Sequence, residues 1–122
     1  MLYPTEAFAY PQKINGNLIC NDNELTSLKG LPKEINGALI CYRNNLKSLK
    51  DSPKIIKGIF DCRFNEELKN VKEQIIKYQI KSFIYHTDEG DFNFGDIRNE
   101  FEEFENKSKN LTKDIRNKDY GL

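Results

Sequence analysis

Three cysteines and one histidine are the most reactive side chains in this sequence, and their spacing decides what chemistry is open to them. Cys20, Cys41 and Cys62 recur at a constant step of 21 residues. A structural zinc site wants four convergent ligands, usually from close pairs such as C-x-x-C. One cysteine per 21 residues and a single histidine do not supply that set, so no metal is expected. An odd cysteine count argues against a closed disulfide framework. The reading that fits the interval is a column of reduced thiols acting as small apolar side chains in a core.

His86 is followed by Asp88 and Glu89, neighbours that suit a general base. No recognised motif sets a serine or cysteine nucleophile beside it. The turn Asp88-Glu89-x-Asp91-x-Asn93-x-x-Asp96 offers carboxylates to a calcium ion. It lacks the D-x-D/N-x-D/N-G order and the terminal glutamate of an EF-hand loop. A phosphate-binding glycine loop, a dinucleotide fingerprint and an H-E-x-x-H pair are all missing from the sequence. The expectation is therefore a protein that is not an enzyme, with no catalytic residue, no cofactor and no metal.

Charge is the other candidate chemistry. The 122 residues carry 19 basic and 19 acidic side chains, so no net field favours nucleic acid. Neutrality is a cancellation, however: residues 1–65 hold 9 basic and 6 acidic groups, residues 66–122 hold 10 and 13. Asp88, Glu89, Asp91, Asp96, Glu100, Glu102, Glu103 and Glu105 stand against Arg98 alone. Such a run can imitate nucleic acid by occupying a basic channel, or can be a solvated helix face. The basic residues are scattered without interleaved aromatics, so direct nucleic-acid binding is not expected.

The elements that must position these groups follow from the same 21-residue step. Ile14–Glu34, Ile35–Ile55 and Ile56–Ile76 align block on block. The columns are Ile14/Ile35/Ile56, Gly16/Gly37/Gly58, Leu18/Leu39/Phe60, Cys20/Cys41/Cys62 and Asn23/Asn44/Asn65, with Pro11/Pro32/Pro53 on the same step. A period near 20 is the signature of a solenoid in which no coil buries its apolar face alone. Alternate residues of a short strand point inward, so Leu18 and Cys20, Leu39 and Cys41, and Phe60 and Cys62 should share the core. Leu25, Leu28, Leu46 and Leu49 supply its far wall. The column asparagine should bond turn backbone through its side chain. The column glycine should adopt positive φ where the chain bends into the strand.

The segment L-x-C-x-x-N-x-L-T-S-L from Leu18 to Leu28, with the recurring P-K-x-I-x-G, resembles a leucine-rich repeat. The 21-residue length is similar to short repeats of bacteriophage and bacterial leucine-rich-repeat proteins. The resemblance covers roughly residues 10–71 and departs after Asn65. It implies an α/β repeat fold: a short leucine-rich-repeat-like solenoid with a small parallel β-sheet, capped by a C-terminal helical region. Some bacterial relatives carry a ubiquitin-ligase domain, and nothing here is long enough to be one.

Two parts of one compact unit are expected: a solenoid over residues 1–65 and a cap over 66–122. Within the cap, apolar periodicity predicts a helix at about 66–79 and a strand at about 80–86, one period after residues 59–65. A long amphipathic helix follows at about 96–117, with Asp96 as its N-cap. Ile97, Phe101, Phe104, Leu111 and Ile115, with Ser108 filling one step, make a narrow stripe that suits either packing on its own domain or a partner helix in a homodimer. The outward face of the strands is the favoured protein-binding surface. It comprises Ile19, Asn21, Ala38, Ile40, Tyr42, Arg43, Ile59, Asp61 and Arg63, an apolar centre with tyrosine and arginine at one edge. No apolar run reaches the ~18–20 residues of a membrane span, and the first residues lack a basic-then-apolar leader, so a cytoplasmic protein is expected. Together with the resemblance, these features imply a small phage or mobile-element protein. It would act in the host cytoplasm by binding and inhibiting a host protein or complex, such as a CRISPR-type defence assembly.

Overall fold

The structure, a computed structural model, describes the backbone of residues 12–119 and the side chains of residues 12–109. The chain is a parallel β-solenoid of about four coils, closed at one end by helices. Its strands are β1 (Lys13–Ile14), β2 (Leu18–Ile19), β3 (Glu34–Ile35), β4 (Leu39–Ile40) and the longer β5 (Ile55–Asp61). After helix α1 (Val71–Lys77) come β6 (Lys81–Thr87), β7 (Gly90–Asn93) and helix α2 (Phe94–Asp119).

The repeat columns become hydrogen-bonded neighbours. Lys13 faces Glu34 and Glu34 faces Ile55 in one parallel ladder; Leu18 faces Leu39 and Leu39 faces Phe60 in a second. β5 belongs to both ladders, with a register shift between Ile56 and Ile59 where the two meet. β6 extends both ladders as a fourth parallel strand, so the solenoid runs past residue 65. The step from Phe60 to Tyr85 is 25 residues, whereas earlier steps are 21. The expected one-period offset for β6 fails because α1 forms the back of that coil. A helix advances about 1.5 Å per residue against ~3.3 Å for extended chain, so covering the same wall takes more residues.

Buried columns of Leu18, Leu39, Phe60 and Tyr85 and of Cys20, Cys41 and Cys62 form the centre of the core. Leu28, Leu46 and Leu49 close its far wall in the first coils. Thr87 takes the cysteine position in the fourth coil, and its hydroxyl donates to Gly90 O (2.6 Å). Tyr85 has no exposed surface; its hydroxyl donates to Ile80 O (2.6 Å) and accepts from Ser82 N (3.0 Å). Burial pushes that phenol up to about 12.

The glycine column has two different causes. Gly16 has φ +112°, as expected for the bend. Gly37 and Gly58 do not take positive φ; they are glycine because the coils touch there. A Cβ on Gly37 would sit 2.5 Å from Gly16 O, and one on Gly58 would sit 2.9 Å from Gly37 C. The left-handed backbone falls instead on Asp22, Arg43 and Phe64, two residues after each cysteine.

The first helix is shorter than the expected 66–79. Asn65 and Leu68 close a turn (Leu68 N to Asn65 O, 3.0 Å), and Asn70 at φ 54° cannot continue a helix. Its C-terminus is a Schellman motif with Gln79 left-handed: Ile80 N donates to Ile75 O (2.9 Å) and Gln79 N to Ile76 O (3.1 Å). The short strand β7 was not expected; it pairs antiparallel with β6 across the turn at Asp88–Glu89. Asp96 is not the N-cap of α2. Asn93 is: its Oδ1 accepts from Asp96 N (3.0 Å) while Asp96 Oδ2 accepts from Asn93 N (3.1 Å), a reciprocal capping box.

Candidate interaction surface

The outer face of the sheet is built in rows by the parallel register. Ile19, Ile40, Asp61 and His86 form one row; Ala38, Ile59 and Ile84 form the next. Ile19 is 45% exposed, and Ala38, Ile40, Ile59 and Ile84 are half-buried. α2 packs on β6, β7 and α1 at the end of the stack, and among the described residues Ile19 stays exposed on the strand face.

At one edge the face becomes cationic and aromatic. Asn21 and Tyr42 are half-buried, and Arg43 is exposed with its guanidinium 5.9 Å from the Tyr42 ring and 5.8 Å from Phe64. Asp61 departs from its expected role. It is 4% exposed because Arg63 folds over it as a fork, Nη2 at 2.7 Å and Nε at 3.0 Å. That hydrogen bond and the adjacent charge raise the already high Arg63 value. Asp61 is thus the internal counter-ion of Arg63 and is closed to a partner.

Phe64 was missed by the sequence reading and is the most conspicuous residue of this edge. It is 54% exposed, holds φ 59°, and lies 5.9 Å from the Arg63 guanidinium. A left-handed conformation costs a bulky residue about 1–2 kcal/mol, so its persistence in a turn marks the position. The available signal was positional: the column reads Asp22, Arg43, Phe64, and only aspartate is at ease there. Phe64 and Arg43 also border a groove of about 780 Å³ with Lys47, Glu66 and Asp88.

Several residues grouped at the sequence level for other roles have structural work in the last coil. Asp88 Oδ1 and Oδ2 accept from Phe64 N (3.0 and 2.9 Å), and Glu89 accepts from Asn70 N (2.9 Å) and Val71 N (2.8 Å). Asp91 Oδ1 lies 3.1 Å from His86 Nδ1, close enough to pair charge but not aligned as a hydrogen bond. With Asp96 in the capping box, the first four acids of the run are engaged around the β6–β7 turn and the start of α2. Glu100 pairs with Lys72 (3.0 Å) and Glu105 with Lys109 (3.3 Å), leaving Glu102 and Glu103 exposed on α2.

The stripe on α2 also divides. Ile97 and Phe101 are 1% and 3% exposed: they close the solenoid core, with Phe101 edge-on to Phe94 at 5.0 Å, and are not free for a second chain. Phe104 is 37% exposed. The side chains of Leu111 and Ile115 lie outside the described residues.

The cysteines sit as expected, reduced and buried. Desolvation pushes the Cys20 thiol up to about 11 and Cys62 to about 12; Cys41, also beside the other two thiols and Asp61, goes well above the ordinary range. Cys41 Sγ donates to Asp61 O (3.3 Å). Such thiols are poor nucleophiles, because the thiolate is the reactive form. Among the described residues no group of three or more acidic, histidine or cysteine side chains is placed to hold a metal ion, and no helix is long and apolar enough to cross a membrane. No known family, curated protein or solved structure matches this chain.

Proposed function

We propose that the protein is a non-enzymatic protein-binding module that engages its partner with the outer strand face of the solenoid. The observation that carries this reading is that the apolar rows, with Ile19 45% exposed among the described residues, end in the Tyr42–Arg43–Phe64 cluster. Interface centres favour such tyrosine, phenylalanine and arginine anchors in an apolar setting. The fitting partner presents an apolar patch with a carboxylate opposite Arg43, whose guanidinium has no acidic neighbour within ion-pair distance among the described residues. The biological setting rests on the sequence resemblance alone: a small phage or mobile-element protein that binds and inhibits a host complex, with a defence assembly as the target.

The test is affinity capture from the natural host with the wild-type chain and the double variant Ile40→Asp/Tyr42→Ala. A specific host protein should be retained by the first and lost by the second, with the far-ultraviolet circular dichroism of the two chains unchanged. A partner held equally by both chains, or none at all, sinks the proposal.

A further inference from the structure

Lysines far apart in the sequence stand together on the opposite ladder of the solenoid. Lys33 N donates to Gln12 O (3.0 Å), Lys54 N to Lys33 O (2.9 Å) and Lys81 N to Lys54 O (2.9 Å), so Lys33, Lys54 and Lys81 are stacked coil on coil. Parallel strands are about 4.8 Å apart, which makes this a line roughly 10 Å long. Lys33 and Lys54 line a groove of about 540 Å³ together with Lys29 and Lys50, one repeat apart, Tyr78 and a single acid, Asp51. All five lysines are exposed. Among the described residues none of them has a carboxylate within ion-pair distance.

Aromatic faces are interleaved with these cations. Tyr78 is half-buried, with Lys54 Nζ 6.0 Å and Lys77 Nζ 5.3 Å from its ring; Lys54 Nζ also donates to Tyr78 O (2.8 Å). A second groove of about 540 Å³ is lined by Lys57, Lys81 and Arg98 with no acidic side chain. Phe83 stands in it, 67% exposed, the most exposed large hydrophobic side chain of the described residues.

We infer that this corner is a binding site for single-stranded nucleic acid. The lysine line takes the phosphates, and Phe83 and Tyr78 offer flat faces to unstacked bases. A positive groove with aromatic platforms is the arrangement that binds single strands without reading sequence. A carboxylate polymer would use the lysines and leave a solvent-facing phenylalanine without a role, whereas an anionic membrane would take both groups and is separated by the vesicle arm of the test. The site meets the strand face only at Ile84, and none of the residues varied in its test is among those varied for the strand face, so the two proposals are tested independently.

The probe is a fluorescein-labelled oligothymidylate of about a dozen nucleotides, titrated with the full chain between about 50 and 200 mM salt and read by fluorescence anisotropy. The wild type should bind with a steep salt dependence. Lys33→Glu/Lys50→Glu should weaken binding at least tenfold at the low-salt end and reduce the log–log salt slope by about 1.4, since each single-strand phosphate contact contributes roughly 0.7. Phe83→Ala should weaken binding about tenfold while leaving the slope unchanged, because it removes stacking and no charge. Lys107→Glu/Lys109→Glu on α2 makes the same charge change away from the groove and should leave most of the affinity. Absence of binding at low salt overturns the inference. So does equal loss in the groove and α2 charge variants, or equally tight binding of polyglutamate or anionic phospholipid vesicles. Self-association of the chain at low salt that blocks the probe would assign the lysines to a second copy instead.

Discussion

The three regular coils and the last one solve the same problem with different groups. Wherever a coil turns after its cysteine, backbone amides need acceptors. In the interior, Asn44 supplies them: its Oδ1 accepts from Asn23 N (2.9 Å) and Leu25 N (3.0 Å), while its Nδ2 donates to Cys20 O (3.1 Å) and Cys41 O (3.0 Å). Asn65 does the same one coil on, accepting from Leu46 N (3.0 Å) and donating to Cys41 O and Cys62 O. The next coil has no such asparagine. Carboxylates folded back from the β6–β7 turn, Asp88 and Glu89, take the remaining amides of Phe64, Asn70 and Val71. A neutral amide both gives and receives, and so suits a site between two coils. A carboxylate only receives, and so suits an end, where no further coil offers carbonyls.

The sharpest way to break this comparison is to remove one side chain from each place. Asn44 is 4% exposed, and Asn44→Ala removes the acceptor of the Asn23 and Leu25 amides, while Cys20 O keeps Asn23 Nδ2 (2.9 Å) and Cys41 O keeps Asn65 Nδ2 (3.3 Å). At 1–3 kcal/mol for each buried unmet group, partly relieved by entering water, the expected loss is about 3–4 kcal/mol in urea unfolding. Asp88→Ala/Glu89→Ala acts at exposed positions that water can reach, and about 1–2 kcal/mol is expected for both together. Equal losses would show that the end cap is as closed to water as the interior.

A smaller effect tests the glycine column. Gly58→Ala forces a methyl against Gly37 backbone and should cost about 1–3 kcal/mol, seen as a lower thermal midpoint. If it proves neutral, the coils are not in contact there.

Alkaline pH should act first on the cysteine coils: in the fourth coil Thr87 cannot titrate, and the buried Tyr85 phenol, raised from 10 to about 12, joins only above about pH 10. Burial raises the folded-state values of the three thiols, to about 11 for Cys20 and about 12 for Cys62, above the value near 9 of a free thiol. A raised folded value gives stability that is complete below the unfolded value and is lost as pH climbs towards the folded one. Stability should therefore hold up to about pH 9 and fall between about 9 and 12, by about 1 kcal/mol per buried thiol for each pH unit at the start of that window. Unfolding midpoints at a series of pH values would show it, and Cys41→Ala should flatten the fall.

The smallest expected effect lies in the cap and has the opposite sign. Gln79 holds φ 55° at the end of α1, so Gln79→Gly should stabilise the chain by about 0.5–1 kcal/mol. A destabilised variant would mean that the bond from Gln79 Nε2 to Ile76 O (2.7 Å) outweighs the backbone relief.

The solenoid, its inward columns and the turn asparagines were legible because each is repeated on one fixed step, and stacking identical coils needs only that step. Non-repeating contacts were illegible. Nothing local in Glu66–Asn70 told that Glu89 would come back to begin the helix at Val71 instead, and nothing in Asp61 told that Arg63 would fold over it. The acidic run read as one feature along the chain and came apart in space, because Asp88 and Glu89 serve the end cap, Asp96 serves the capping box of α2 and Glu100 pairs with Lys72.

By itself, then, the sequence determined the period and the buried columns, one cysteine to a coil, since these depend on residue type recurring at one interval. Tertiary structure alone decided which glycines are required by contact and which by conformation, and where α2 lies. It also decided that Lys33, Lys54 and Lys81 form one line. The reason is physical: stacking turns a separation of 21 to 27 positions along the chain into a few ångströms across it, and no local pattern carries that distance.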